Sequence, residues 1–295
     1  MAHESVLLHE TIDGLALAEG DIYLDATLGL GGHLEQASHS KGVTLLGIDA
    51  DDVSLSIARE RLALAGVRPK LAVLNFRNID RVLEIFEIAD VSKILFDLGW
   101  NSEQLGFGRG FSFNEDEPLQ MTFRSSVSEE ETTAYDVVNH WEENNLADVI
   151  YGYGEERYSR RIAKAIVERR KAGPIKTSKE LALIIKNAVP FVYRFGRIHP
   201  ATRTFQAIRI AVNDELHALE TGLGKSWQIL RKGGRIAVIS FHSLEDRIVK
   251  NFFKSKCEIN EGELINKKPI IPTDNEISKN PRSRSAKLRL IQKIK

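Results

Sequence analysis

The stretch of this chain that decides its fold is Asp25-Ala-Thr-Leu-Gly-Leu-Gly-Gly-His33. Three apolar residues, Ile22–Leu24, precede it, and a second apolar run ends at Asp49. Glycine lets the backbone turn tightly and lets a ligand approach closely. A strand that enters a glycine-rich turn, with an acid about 20 residues further on, is typical of an α/β sheet that binds a nucleotide-like cofactor. A glycine turn alone also fits a plain strand-to-helix connection, and Asp49 is what favours the cofactor site.

The composition is that of an ordinary globular chain. Its 295 residues, 42% of them hydrophobic and 28% charged, suffice for one large domain or two modest ones. No apolar run approaches the roughly 18 residues of a membrane span, and Met1–Ser5 lack the features of a signal peptide. The single cysteine, Cys257, excludes an internal disulfide and a multi-cysteine metal site. We therefore expect a cytoplasmic protein with no membrane association and no bound metal.

Five short apolar runs predict buried strands, and helical patterns separate the first four. This alternation predicts parallel strands in a sheet that is covered on both faces. The fifth run follows the fourth by about 140 residues, far more than a crossover needs, so an inserted unit is expected between them. The alternating segment 286–294 predicts a late strand at a sheet edge, and residues 258–281 predict a loop. The five runs are Ile22–Leu24, Val43–Ile48, Leu71–Leu74, Ile94–Phe96 and Ile236–Ile239.

The insertion is predicted to be mostly helical. In its strongest pattern, Glu155–Lys171, the side chains of Arg157, Arg161 and Lys164 share one face and an apolar stripe occupies another. A further helix, Ala201–Leu219, is expected to return the chain to the sheet. The predicted domains are residues 1–105 with 211–295 for the cofactor, and residues 106–210 for the insertion.

The distribution of charge is uneven although the formal net charge is zero. Residues 267–295 contain nine Lys/Arg and two acids, and residues 155–171 contain seven Lys/Arg and three acids. Residues 194–209 contain four arginines and no acid. A neutral total can conceal a basic face that binds nucleic acid, whereas solvated helix surfaces give the same counts. Charge alone leaves both interpretations open.

Three acids are expected to meet at one edge of the sheet. Asp25, Asp49 and Asp97 each end a predicted strand, and ligands of open α/β sheets bind beyond the carboxyl ends of the strands. Three carboxylates would repel a phosphate, but they suit a cofactor with ribose hydroxyls, an ammonium and a sulfonium, such as S-adenosylmethionine. NAD fits less well because its pyrophosphate favours helix N–H groups. Capping of a following turn or helix is the alternative for Asp25 and Asp97.

A series of motifs along nearly the whole chain carries a more specific signal. They are His3-Glu-Ser-Val-Leu-Leu8, Asp25–His33, Asp97–Leu105, Arg109–Phe113, Tyr153–Tyr158, His199–Gln206, Ser240–Arg247 and Asn280–Arg284. In these motifs the chain resembles the ribosomal RNA small-subunit methyltransferase H (MraW) family. That resemblance implies methyl transfer from S-adenosylmethionine to the N4 amine of a cytidine in the decoding centre of 16S rRNA, with the 30S particle as partner. It also implies a class I S-adenosylmethionine methyltransferase fold, Rossmann-like with a mostly parallel sheet and an inserted helical domain.

The resemblance also implies site residues. A core aromatic is the alternative role for Phe76, and a helix cap is the alternative for His33. Asp97 is in addition a candidate catalytic acceptor for an N4 hydrogen, with His242 as a second candidate unless its role is structural. The implied cofactor contacts are Gly31, Gly32 and His33 for the methionine end, Asp49 for the ribose, Phe76 for the adenine, and Asp97 and Gln104 for the remaining pocket.

Methyl transfer from a sulfonium is an in-line displacement that needs no metal, only alignment. Methylation at cytosine C5 instead needs a cysteine nucleophile, and Cys257 lies outside the predicted site. RNA phosphates would be held by basic side chains of the insertion and of the basic tail. The candidates are Arg157, Arg161, Lys164, Arg203, Arg282 and Arg284.

Several residues depart from the usual family pattern, and these departures bear on recognition of the target base. They are Trp100, Asn101, Gly106, Gln120 and Thr122. Three alternatives stay open on the sequence: a methyltransferase with another substrate, an NAD-dependent oxidoreductase, and an rRNA-binding assembly factor with weakened catalysis. The sequence also leaves open whether the protein is a monomer or a homodimer.

Overall fold

The computed structural model describes residues 5–99, 108–124 and 131–295. The chain forms two compact units, one within residues 1–100 and 216–295 and the other within residues 101–215. The assignment of a cofactor role to the first unit and of an RNA role to the second stays a prediction. Among the residues singled out from the sequence, Trp100, Asn101, Gln104 and Gly106 lie outside the described residues.

The first unit is built on a seven-stranded sheet with the order β3-β2-β1-β4-β5-β7-β6. The first five strands in this order pair in parallel, and β7 pairs antiparallel with both β5 and β6. The predicted Rossmann-like, mostly parallel α/β fold is therefore confirmed. The strands are β1 (Ile22–Asp25), β2 (Thr44–Asp49), β3 (Lys70–Val73), β4 (Val91–Asp97), β5 (Leu230–Ser240), β6 (Gly262–Leu264) and β7 (Lys287–Lys293).

The central strands are buried on both faces, which explains their continuous apolar sequences. Side chains alternate across the sheet, so Ile94 and Phe96 of β4 pack in one apolar cluster and Leu95 packs in the cluster on the opposite face. Tyr23 and Leu24 of β1 divide between the same two clusters. The core of the first unit thus fixes which way each strand faces and where each strand ends.

The structure corrects the predictions for the last part of the chain. The segment 286–294 forms a strand, but β7 lies between β5 and β6 and is not at the edge of the sheet. Residues 258–281 contain β6 and the helix Asp274–Lys279 in place of the expected loop. The glycines before the fifth predicted strand lie inside β5, where the pairing with β4 shifts register between Val91 and Lys93.

The second unit is helical, with a core of apolar side chains from its helices. The predicted helix Glu155–Lys171 begins only at Ser159, so Arg157 precedes it and does not share its basic face. The predicted helix Ala201–Leu219 is two helices, because Asp214 adopts a left-handed conformation between them.

No helix in residues 5–99, 108–124 or 131–295 combines the length and apolar character that crossing a membrane requires. In chain order, the helices are α1 (Leu8–Leu15), α2 (Gly32–Ala37), α3 (Asp52–Leu64), α4 (Val82–Ile85), α5 (Ala134–His140), α6 (Glu143–Gly154), α7 (Ser159–Arg170), α8 (Ser178–Ala188), α9 (Phe191–Arg194), α10 (Thr202–Asn213), α11 (Glu215–Ile229), α12 (Ser243–Glu258) and α13 (Asp274–Lys279).

Candidate active site

Three acids end three adjacent strands of the sheet. Asp25, Asp49 and Asp97 are the last residues of β1, β2 and β4, and the sheet places β1 between β2 and β4. The carboxyl ends of parallel strands meet at one edge, so the three carboxylates lie along the edge where ligands of this fold bind. The structure therefore brings together the acids that the sequence singled out.

The glycine turn after β1 is joined to the end of β2. The Gly29 N–H donates to Asp49 Oδ2 at 2.7 Å. Gly31 has a φ of 79°, a conformation that residues with a Cβ rarely adopt. A Cβ on Gly32 would lie 2.1 Å from the Ser5 hydroxyl oxygen. The turn therefore needs glycine for its own geometry, because the Leu62 and Ser5 side chains occupy the space that Cβ atoms on Gly31 and Gly32 would take.

Asp49 is held by backbone donors on both oxygens. Its Oδ1 accepts from the Asp51 N–H at 2.9 Å, and its Oδ2 accepts from Gly29. Burial raises the pKa of Asp49 to about 6, although these two hydrogen bonds lower it. Each carboxylate oxygen has a second lone pair, so the side chain can also accept hydrogen bonds from two ribose hydroxyls.

Asp97 carries an unsatisfied acceptor. Its backbone N–H donates to Thr27 Oγ1 at 2.6 Å, and its Oδ2 lies 3.7 Å from His33 Nδ1. Its Oδ1 is buried and has no hydrogen-bond partner among the described residues. Burial, and then the charges of Asp25 and Glu245, raise the pKa of Asp97 well above its usual value. A buried acceptor without a partner is unfavourable, so this oxygen suits a ligand that brings a hydrogen-bond donor or a positive charge.

Asp25 has a mainly structural role. Its side chain is buried and accepts from the Thr27 N–H at 3.2 Å, which is the turn-capping role considered from the sequence. The Tyr23 hydroxyl lies 3.5 Å from its other oxygen and donates to it. Burial raises the pKa of Asp25 to about 7, and the charge of Asp49 adds to the rise. Asp25 therefore shapes the turn and places negative potential beneath the site.

His33 lies inside α2 and points at Asp97. Helix α2 follows Gly31 as its cap residue, so the alternative helix-cap role of His33 is not what the structure shows. The buried ring makes a contact of 3.1 Å between Nε2 and the Val6 carbonyl oxygen. A carbonyl only accepts, so Nε2 carries a hydrogen and Nδ1 faces Asp97 Oδ2. The imidazole orientation is thus fixed by a contact with the turn that precedes the helix Leu8–Leu15.

Phe76 serves the core and borders the site edge. It follows β3 at the start of a 3₁₀ helix, is half-buried, and meets Phe96 edge-to-face with ring centroids 5.6 Å apart. A Cβ on Gly222 would lie 2.9 Å from the Phe76 ring, so that glycine gives the ring its space. The core role considered from the sequence is present, and the adenine contact stays a prediction.

His242 is engaged at the start of α12. Its Nδ1 accepts from the Glu245 N–H at 3.4 Å, and the Glu245 carboxylate in turn accepts from the His242 N–H at 3.2 Å. This reciprocal arrangement is a capping box. Because Nδ1 acts as an acceptor there, the ring has the structural role considered from the sequence. Its catalytic role stays a prediction.

Three contributors to the site were not predicted from the sequence. Thr27 supports the Asp97 backbone, the Val6 carbonyl orients His33, and Glu245 adds negative charge near Asp97. Thr27 lies in the glycine-rich stretch, and the spacing of His242 and Glu245 matches a capping box. Thr27 and Glu245 could therefore have been recognised from the sequence. The Val6 contact spans 27 residues and left no signal in the sequence.

The predicted RNA-binding residues are distributed over both units. Arg157, Arg161 and Lys164 are exposed in the second unit, where Arg203 donates to the Glu155 carbonyl oxygen at 3.1 Å. Arg282 and Arg284 are exposed on the 3₁₀ helix Pro281–Ser285 of the first unit.

Gln120 and Thr122, which depart from the usual family pattern, and residues near them form hydrogen bonds within the second unit. Thr122 is buried and its hydroxyl donates to the Arg124 carbonyl oxygen at 3.2 Å. The Gln120 carbonyl oxygen accepts from the Ala134 N–H at the start of α5. Nearby, the guanidinium of buried Arg109 donates to the Phe123 carbonyl oxygen at 2.7 Å. Thr122 and the backbone of Gln120 therefore have local structural partners.

Comparison with known proteins identifies the lineage of this site. The model of the MraW methylase family matches residues 1–294. The chain belongs to the MraW methylase family. It is 48% identical to the ribosomal RNA small subunit methyltransferase H of Sulfurihydrogenibium sp. (strain YO3AOP1), over 99% of each chain. It is 47% identical to the protein of that name from Persephonella marina, again over 99% of each chain.

Among solved structures, an rRNA methylase from Streptococcus thermophilus matches with a TM-score of 0.48 and 12% identity over 100% of both chains. The family assignment rests on the family model and on the curated relatives. Membership of a methylase family contradicts the NAD-dependent oxidoreductase interpretation. It confirms S-adenosylmethionine as the expected cofactor.

The arrangement at the strand ends fits S-adenosylmethionine. Asp49 offers acceptors for ribose hydroxyls. Asp97 Oδ1, which has no hydrogen-bond partner among residues 5–99, 108–124 and 131–295, offers one for a cationic or N–H group. Which residue contacts which part of the cofactor stays a prediction from the family resemblance.

Proposed function

We propose that this protein transfers a methyl group from S-adenosylmethionine to the N4 amine of a cytidine in the decoding centre of 16S rRNA. The observation that carries this proposal is the buried Asp97 Oδ1 at the carboxyl edge of the sheet, which has no hydrogen-bond partner in the described part of the chain. The names of the relatives, which specify small-subunit ribosomal RNA, support the choice of RNA. The basic surface of the second unit supports it further, because a small-molecule methyltransferase would not need that surface.

Methyl transfer to N4 is helped by a hydrogen-bond acceptor near the amine. The N4 lone pair of cytosine is delocalised into the ring, so the amine is a weak nucleophile. Bound S-adenosylmethionine supplies an electrophilic methyl carbon, whose bond to sulfur breaks as its bond to N4 forms. Asp97 Oδ1 accepts a hydrogen bond from N4, which favours a geometry with the lone pair available, and N4 then loses one proton. The raised pKa of Asp97 matches this task, since a carboxylate of higher pKa is a stronger proton acceptor.

His33 acts as a positioning residue for Asp97. Its Nε2 is held by the Val6 carbonyl oxygen, so the ring cannot turn away without losing that contact. Nδ1 consequently remains 3.7 Å from Asp97 Oδ2, and Oδ1 is the oxygen that we assign to the substrate amine. A proton that reaches Asp97 can pass to Nδ1 after a small movement.

RNA phosphates are held by the exposed cations of the second unit, chiefly Arg161 and Lys164 on α7. Arg157 and Arg203 add to this surface, and Arg282 and Arg284 provide a second group on the first unit. Such contacts position an RNA without reading its sequence, so the target base must be splayed out to be methylated. The 30S particle is the proposed form of the substrate.

The test of the proposed function is the modification itself. Cells with and without this protein should differ by one methyl group on the decoding-centre fragment of small-subunit rRNA, measured by mass spectrometry. Purified protein with labelled S-adenosylmethionine should restore the difference on unmodified 30S particles. A methyl group found at another position, or on no RNA, would contradict the proposed target.

We expect the affinity for S-adenosylmethionine to rise with pH between about pH 5 and about pH 7.5. Asp49 and Asp25 have pKa values of about 6 and about 7, and their ionised forms favour a cationic ligand. Each group that must ionise contributes up to about a tenfold change in Kd per pH unit below its pKa. Calorimetry in two buffers of different ionisation enthalpy should show protons released on binding. A Kd that stays constant across this range would contradict the prediction.

In the absence of ligand, the same raised pKa values make the folded protein less stable as pH rises, whereas they make cofactor binding tighter as pH rises. A carboxyl group whose folded-state pKa is raised holds its proton more tightly in the folded protein, so the fold becomes less stable as pH rises towards that pKa. The unliganded protein should therefore unfold at a lower temperature at pH 8 than at pH 6. Asp25→Asn is the control variant, because it removes the step associated with the pKa of about 7.

A further inference from the structure

Residues 191–198, here called the 191–198 segment, expose an unusual amount of apolar surface. They comprise α9 and the four residues that follow it. The exposed fractions are 70% for Phe191, 85% for Val192, 70% for Phe195 and 54% for Ile198. Single exposed apolar side chains are normal, but a contiguous group of large ones marks an interaction site. The candidate cofactor site does not explain why these apolar side chains are exposed.

The 191–198 segment is anchored, so its exposed rings are presented on a fixed support. Tyr193 donates from its hydroxyl to the Glu156 carboxylate at 2.6 Å, and Glu156 is fully buried. The Arg194 guanidinium donates to the Val189 and Asn187 carbonyl oxygens near the end of α8. These contacts fix the backbone beneath the exposed side chains.

Two aromatic rings dominate the exposed side of the segment. The ring centroids of Phe191 and Phe195 lie 4.9 Å apart, with the ring planes tilted by 60°. Both rings keep most of their surface in contact with solvent. An exposed aromatic ring can stack on another flat group, such as a nucleobase, without a preformed cavity.

The surroundings of the two rings are cationic. Residues 181–213 contain five Lys/Arg and no Asp or Glu. The guanidinium of Arg157 lies 4.8 Å from the ring centroid of Tyr158 and 5.2 Å from that of Tyr193, which brings a further positive charge to the segment. Arg197 is itself exposed within the segment. Aromatic faces among arginines are the composition of surfaces that bind unpaired RNA.

We propose that the 191–198 segment is a stacking surface for unpaired bases of the RNA substrate, with Phe191 and Phe195 stacking on bases and Arg197 contacting phosphate. This inference rests on the proposed function, because it assumes an RNA substrate. The charge of the residues around the segment favours RNA over a second copy of the chain as the partner. The stretch of residues 181–213, which is cationic and contains no acid, complements a phosphate backbone, whereas a contact with a second copy of this neutral chain needs no such excess. Base stacking requires unpaired RNA, since paired bases hide their faces.

The test compares three double substitutions of Phe191 and Phe195, to Ala, to Leu and to Tyr. Leu keeps apolar bulk but removes the ring, and Tyr keeps the ring, so the set separates stacking from apolar contact. The probe is an unpaired RNA of about 12 nucleotides and the blunt duplex of the same sequence. Both side chains are largely exposed, so all variants should unfold at the temperature of the unaltered protein.

We expect the Ala and Leu variants to bind the unpaired RNA at least about 5- to 100-fold more weakly, since stacking contributes about 1–3 kcal/mol per base and each variant loses two rings. The Tyr variant should bind like the unaltered protein, and the duplex should bind all forms equally. The dependence of affinity on salt should not change in these variants. Arg197→Gln, in contrast, should reduce the salt slope by about one phosphate contact.

Two results would overturn the inference. One is unchanged affinity of the Leu variant for unpaired RNA. The other is a shift from dimer to monomer in sedimentation with unchanged RNA affinity, which would make the segment a contact between copies of the chain. Methyl transfer to 30S particles separates this inference from the proposed function. No transfer by the unaltered protein contradicts the function, whereas active transfer with an unchanged KM in the Ala variant contradicts only the stacking surface.

Discussion

Replacing Asp97 by asparagine is expected to lower the rate of single-turnover methyl transfer by about 100- to 1,000-fold. Asparagine keeps the shape of the side chain, and its amide oxygen can still accept a hydrogen bond, but it cannot take up a proton, so N4 loses its proton acceptor. The rate would be measured with saturating S-adenosylmethionine and 30S particles. Near-normal single-turnover transfer by Asp97→Asn would show that the carboxylate does not assist the reaction.

The same substitution should raise stability, which separates a catalytic role from a structural one. The ionised carboxylate of Asp97 is unfavourable where it lies, because burial and the charges of Asp25 and Glu245 raise its pKa. Removing that charge should therefore increase the unfolding temperature at pH 8. A purely structural role would instead lower activity and stability together. His33→Gln is the companion variant, expected to slow transfer less because it alters only the orientation of Asp97.

Replacing Asp49 by alanine is expected to weaken S-adenosylmethionine binding about 100-fold, with little change in the rate at saturating cofactor. The substitution removes the acceptors for the ribose hydroxyls and leaves the Gly29 N–H without its partner. Hydrogen bonds to a charged group contribute about 1.5–3 kcal/mol each, which sets the size of the effect. Calorimetry and the KM for the cofactor both report it.

Asp52→Ala is the matched control for this second prediction. Asp52 is an exposed acid in the first turn of α3, only a few residues from Asp49. Its removal changes the net charge by the same amount without touching the glycine turn. Equal losses of affinity in Asp49→Ala and Asp52→Ala would show that general electrostatics, and not the ribose contact, holds the cofactor.

The strand ends and their acids were predictable because each buried strand is a continuous apolar run that stops at a polar residue. The position of β7 was not predictable in this way. Alternating side chains occur in edge strands and in internal antiparallel strands alike, and its outer neighbour β6 has only three residues. A strand so short carries no periodicity that a sequence can reveal.

The start of α7 shows a second limit. The predicted helix includes Glu155–Tyr158, with Tyr158 on its apolar stripe, yet the helix begins only at Ser159. The buried carboxylate of Glu156 accepts from the Tyr158 N–H at 2.9 Å and from the Tyr193 hydroxyl, 37 residues away in sequence. The contact between His33 and Val6 is of the same kind. Local patterns predict which residues can be helical, but distant partners decide where a helix begins and which way a ring points.

The interruption of the sheet by the second unit determines the order in which the protein can assemble during translation. Asp25, Asp49 and Asp97 are synthesised before residues 101–215, and their strands lack β5 and β7 until the later part of the chain has emerged. The second unit is continuous in sequence and can fold while the first is still incomplete. Pairing of β4 with β5 then joins segments separated by more than a hundred residues, a step that is slow because the connecting chain must be ordered first. A nascent chain can therefore complete its helical unit before the sheet of the first unit is complete.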